Sequence, residues 1–135
     1  MAVIERLRRT LEQIPEVRLA VLFGSAARPA LRPGSDVDLG IRLKPGIDRD
    51  AVRLSVALER EIGRSVDLVW LDRAPPLLRF EIACDGVVLI DRDAHGWADF
   101  RAHAMIDWWD WAPTAQMMHK TMAARLSQEA RRGSS

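Results

Sequence analysis

Apolar and polar positions along the chain fall into two periods, and the shorter period is the clearer. From Asp36 onward Val37, Leu39, Ile41 and Leu43 share one parity while Asp36, Asp38, Gly40 and Arg42 share the other, the period of two expected of a half-buried strand. Val17 to Phe23 is an apolar run that reads as a buried strand. Ser65 to Leu71 alternates again, with Val66, Leu68 and Trp70 opposed to Asp67, Val69 and Leu71, and Val87 to Ile90 reads as a short fourth strand. The intervening segments carry the helical period. Ala2 to Gln13 sets Val3, Ile4, Leu7 and Leu11 on one side and Arg6, Arg8, Arg9 and Glu12 on another, until Pro15 stops it. Asp48 is placed to cap a helix reaching Ile62, with Val52, Val56, Leu58 or Glu59, and Ile62 as its stripe and Gly63 as its end. Pro75-Pro76 suits the start of a helix running from Leu77 to Asp85, with Gly86 in the usual cap position and Arg79 and Glu81 facing water.

The C-terminal part is helical in pattern and heavy in large side chains. Trp97, Phe100, Ala104, Trp108 and Trp111 recur at three- and four-residue steps, Met105 and Trp109 widen the face, and Pro113 kinks or restarts the helix before Ala115, Met118, Met122 and Leu126 continue the stripe. Trp97 and Phe100 read as cover for a sheet face. From Met105 to Met122 the core and partner-binding readings stand level, because a small domain cannot easily bury so many large groups and Trp and Met are enriched at interfaces. The expected organisation is a single domain over residues 1–135, with sheet and helices in 1–92, a C-terminal helical extension in 93–127 and a frayed tail in 128–135. The fold class is α/β, with a four-stranded sheet and packed helices.

Composition narrows the function classes. A formal net charge of +1 over 135 residues lacks the basic footprint of a dedicated nucleic-acid binder. The length suits one domain and counts against a catalytic domain joined to a large substrate domain. The single cysteine, Cys84, has no internal disulfide partner and reads as a small core residue in a reducing compartment. His95, His103 and His119 show no metal-ligand spacing with one another or with Cys84. The first residues turn charged at once and no stretch approaches the ~20 apolar residues of a membrane span, so a cytoplasmic location is expected.

The candidate chemistry lies between Leu19 and Leu43. Gly24 follows Val21-Leu22-Phe23 at a strand exit, where the lack of a Cβ permits a sharp turn and close approach of backbone to a ligand. Ser25 suits a helix N-cap or a phosphate contact, and Arg28 would add charge for an anion. After ten residues intervening from Ser25 come Asp36 and Asp38, about 6.6 Å apart along a strand and leaving the same face. Their repulsion calls for a cation, and Mg²⁺ is the natural one, because it takes one or two carboxylates and completes its shell with phosphates and water. Asp67, on an apolar strand face, needs a metal, a cation or solvent as partner. Asp72 is a weaker competitor, in a loop leading to Pro75.

Gly24-Ser25, ten residues, Asp36-Val37-Asp38 resembles the signature of the polymerase-beta-type nucleotidyltransferases, and the fuller GSAAR…GSDVDLGI is similar to their minimal branch, the antitoxins encoded beside HEPN-domain toxins. The resemblance implies a polymerase-beta-like fold with mixed strand order. It implies that Gly24, Ser25 and Arg28 hold a nucleoside triphosphate, that Asp36, Asp38 and Asp67 bind two Mg²⁺, and that Asp67 activates the attacking hydroxyl. The expected activity is transfer of AMP from ATP onto a protein hydroxyl, a tyrosine of a HEPN toxin bound as a hetero-oligomer. Since the chain has no tyrosine, that acceptor lies on another molecule. A non-catalytic antitoxin that masks its partner, or a small-molecule nucleotidyltransferase, are the alternatives. None of the three histidines follows an Arg by five to seven positions, the pattern of HEPN ribonucleases, so the chain resembles the transferase member and not the toxin.

Overall fold

The computed structural model describes residues 2–24 and 36–110. In chain order these form α1 (Ala2–Glu12), β1 (Val17–Phe23), β2 (Val37–Leu43), α2 (Ala51–Ile62), β3 (Val66–Trp70), a 3-10 turn (Leu71–Arg73), α3 (Pro76–Asp85) and β4 (Val87–Asp91), followed by helical residues 96–110, here α4. The sheet is mixed, in the order β3-β2-β1-β4, with β1 antiparallel to both β2 and β4 and β2 parallel to β3. A parallel neighbour requires a crossover, and α2 supplies it.

Strand parity divides the core into two layers. Ala20, Leu22, Val37, Leu39, Ile41 and Val66 pack with Leu7 and Leu11 of α1 and with Leu54, Leu58 and Ile62 of α2. Leu19, Val21 and Phe23 face the other way, onto Ile82 and Ala83 of α3 and Phe100 and Ala104 of α4. Val17 joins the first layer although it shares parity with Leu19, because a bulge between them shifts the register and turns the side chain over. Trp97 and Phe100 belong to the second layer, as their spacing predicts.

Several local expectations are corrected. The cap of α2 is Asp50, whose carboxylate accepts from the N–H groups of Val52 and Arg53 at 2.9 and 3.3 Å, and not Asp48. The buried stripe is Leu54, Leu58 and Ile62, one i, i+4 row of the helix, and Val52 is 70 % exposed. Asp48 lies two residues too early to reach those N–H groups, and the stripe moves with the start. Gly86 ends α3 at φ −66°, outside the left-handed region; its need for glycine comes from crowding, since a Cβ would stand 2.5 Å from both Ile82 O and Val21 Cγ1. Arg79 does not face water. It bonds to Asp107 at 2.8 Å and lies against the Phe100 ring, tying α3 to α4. Cys84 is exposed, not a core residue.

Candidate active site

The N-terminal ends of β2 and β3 and the C-terminal end of β1 meet at one rim of the sheet. β1 delivers Phe23 opposite Asp38 in the antiparallel ladder, and β3 delivers Asp67 opposite Asp38 in the parallel one. Residues paired across neighbouring strands project from the same face. That face is the one covered by α3 and α4, as shown by Phe23 and Val69 in the second layer. Asp36 stands one residue before β2, exposed, and so lies just outside the strand that its parity predicts; the ladder begins where Val37 donates to Ser65 O at 2.9 Å.

Gly24 fits the site through both its backbone and its missing side chain. It sits at φ +66°, and a Cβ there would collide with Oδ2 of Asp38. The turn therefore brings main chain directly against the central carboxylate, a proximity that only glycine permits. Ser25 and Arg28 lie outside the described residues.

The electrostatics follow from this packing. Asp38 is half-buried and its pKa is raised, first by desolvation and then by the negative charges of Asp67 and Asp36. Phe23, directly across the ladder, is an apolar neighbour that sequence reading did not single out; once β1 and β2 are taken as an antiparallel pair running up to Gly24, the register would have pointed to it. Asp67 is exposed on the edge strand β3, so solvent meets the requirement that its apolar neighbours impose. Asp72, the competitor, is engaged by Arg42 at 3.0 Å.

Among the described residues no group of three His, Cys, Asp or Glu side chains converges closely enough to hold an ion by itself. An open set of carboxylates still fits Mg²⁺, which is commonly held by one or two of them with substrate phosphate and water. The pairing of Asp38 with Asp67 across the β2–β3 ladder, with Asp36 two residues before Asp38, is what favours a cation here.

Sequence comparison places this geometry in a family: the profile described as polymerase beta, nucleotidyltransferase, matches residues 5–95, more than half of the chain. The chain is a polymerase-beta-type nucleotidyltransferase. A Methanocaldococcus jannaschii protein that carries the name of a candidate protein adenylyltransferase is 35 % identical over 72 residues, which are 53 % of this chain and 77 % of that protein. Two solved structures share the fold of this nucleotidyltransferase at lower identity. A chain of a toxin–antitoxin complex with AMP-PNP superposes at a TM-score of 0.74 with 21 % identity, over 88 % of this chain and 98 % of its own. A chain from the tri-AMPylated Shewanella oneidensis HEPN toxin in complex with MNT antitoxin gives 0.67 with 18 % identity, over 88 % and 98 %. The expected mixed, polymerase-beta-like sheet is thus borne out. Among the described residues no helix is long and apolar enough to cross a membrane.

Proposed function

We propose that this nucleotidyltransferase moves AMP from ATP onto a hydroxyl of a protein, a tyrosine of a HEPN-domain toxin, and so acts as an antitoxin. The observation that carries the reading is the placement of Gly24, Asp38 and Asp67 at one rim, where backbone approaches Asp38 and the two carboxylates are cross-strand neighbours. The name of the archaeal relative and the AMP-PNP and tri-AMPylated complexes among the fold's neighbours support the donor and the acceptor class. Trp109, 77 % exposed on α4, supports a docking face for a protein acceptor.

In this reading Asp36, Asp38 and Asp67 hold two Mg²⁺, which would offset charge on the transferring phosphate and the leaving oxygen. Gly24, Ser25 and Arg28 take the triphosphate, the glycine by letting backbone N–H groups approach it. Asp67, on an exposed edge, has room for the incoming hydroxyl and accepts its proton as the oxygen bonds to the α-phosphorus. The bond from that phosphorus to the β-phosphate oxygen breaks, and pyrophosphate leaves. Incubation with each labelled nucleoside triphosphate, Mg²⁺ and the protein encoded beside this chain tests the proposal. Label from ATP should pass to the partner, and partner inactivation should outlast removal of this chain. Inactivation that reverses on removal, with no label transferred, would replace transfer by masking.

A further inference from the structure

A cleft of about 180 Å³ lies at the other end of the same two strands, beyond Leu43 and Trp70. It forms because β2 and β3 are parallel neighbours whose continuations separate: β2 leads to α2 in the first layer, and β3 leads through the 3-10 turn to α3 in the second. A point where parallel strands send their connections to opposite faces leaves a crevice at their carboxyl ends, a recurrent place for ligands in open sheets. The catalytic carboxylates occupy the amino ends, so this crevice is a separate place.

Its walls are built. Trp70 is half-buried, packed against the first core layer, and lines the cleft together with Ile47. Ile47 is held by a tight turn in which its N–H donates to Lys44 O at 3.1 Å, with Pro45 and Gly46 at the centre and Gly46 at φ +80°, the type II arrangement. The turn is anchored in turn by the Lys44 N–H, which donates to Glu16 O at 2.7 Å. Charge around the rim is unbalanced: Arg42 and Asp72 neutralise each other at 3.0 Å, leaving Lys44 and Arg73 against Asp48. The surplus is one positive charge. The volume lies below the roughly 300–1,000 Å³ of pockets for drug-sized ligands, which leaves room for one ring.

The geometry points to a second binding site, distinct from the transferase centre, for a small monoanion carried on a single flat ring, of the class of aromatic carboxylates. The ring lies between the Trp70 indole and Ile47, and the carboxylate meets Lys44 and Arg73. Both cations are exposed at the rim, so replacing them leaves the packing intact.

The test uses the whole chain, ¹⁵N-labelled and sequentially assigned, titrated with benzoate, with its neutral isostere benzamide and with acetate, which has the charge and no ring. Benzoate should shift the Trp70 indole N–H and Gly46 resonances to saturation, while benzamide and acetate bind at least tenfold more weakly. Lys44→Gln with Arg73→Gln should weaken benzoate at least tenfold at an unchanged melting temperature. Equal binding of benzoate and benzamide, indifference to the double substitution, or no shift at Trp70 and Gly46 would overturn the site.

Discussion

At the scale of single residues the site is governed by Asp38, whose pKa is raised by desolvation and by Asp67 and Asp36. A carboxyl whose folded pKa lies above its unfolded value favours the fold when protonated, and that contribution is lost as pH rises through the folded pKa. Asp38 ionised at neutral pH is therefore a cost. Asp38→Asn, nearly isosteric and uncharged, should raise the metal-free melting temperature at pH 7, and the gain should shrink as pH falls through the raised pKa of Asp38 and be gone below the ordinary aspartate range. Melting curves across that range decide it, and a destabilised Asn variant at pH 7 would show that Asp38 has a compensating cation. Gly24→Ala is predicted to act on the same atom from the other side. The new Cβ meets Asp38 Oδ2 and takes on a left-handed backbone costing about 1–2 kcal/mol, so transfer should fall by more than the stability loss explains, as kcat beside thermal melts would reveal. The motif was legible as a string because glycine and paired aspartates are rare in such strands. That Asp36 falls outside β2 was not, because parity does not say where a ladder begins.

At the scale of elements the strands were readable and the helix faces less so. β1 was legible to its ends, and β2 and β3 to within a residue, because a period of two over several positions has few alternatives. The stripe of α2 was misread since Val52 and Val56 satisfy the helical period as well as Leu54 and Leu58 do, and only tertiary packing selects the row. α3 shows the same limit. Its apolar residues fall on no single face, so nothing in the sequence said that Arg79 turns inward to Asp107 and Phe100 while Cys84 turns out. Two outcomes follow. Arg79→Ala removes one of the links between α3 and α4 and part of the cover over Phe100, and should lower unfolding free energy by roughly 1–2 kcal/mol in urea titration; a change near zero would mean that the apolar packing of α4, the Phe80–Trp108 stack and the Arg101 bond to Ala83 O hold it without Arg79. Cys84 should react with a thiol reagent in the folded protein at the rate of an exposed thiol, and a requirement for denaturant would place it back in the core.

At the scale of the whole molecule the sheet separates two layers of apolar packing and carries its carboxylates on the rim beside α3 and α4. The composition could not say whether the Trp and Met stripe is core or interface, because both readings want the same residues. The structure divides it: Trp97 packs inward, Trp108 stacks on Phe80 at 4.7 Å, and Trp109 is exposed, while Trp111, Met118 and Met122 lie outside the described residues. Trp109→Ala should therefore weaken modification of a protein acceptor far more than ATP binding, since docking contributes through proximity and ~1 Å of misplacement can cost on the order of 10²-fold. The proposed nucleotidyl transfer to that acceptor depends on the carboxylates. Its most direct test is the intact mass of the purified partner after incubation with ATP, Mg²⁺ and either the wild-type chain or the Asp36→Asn, Asp38→Asn double variant. One or more AMP additions are expected with the wild type and none with a folded double variant; full addition by the double variant would overturn the proposed role of the carboxylates.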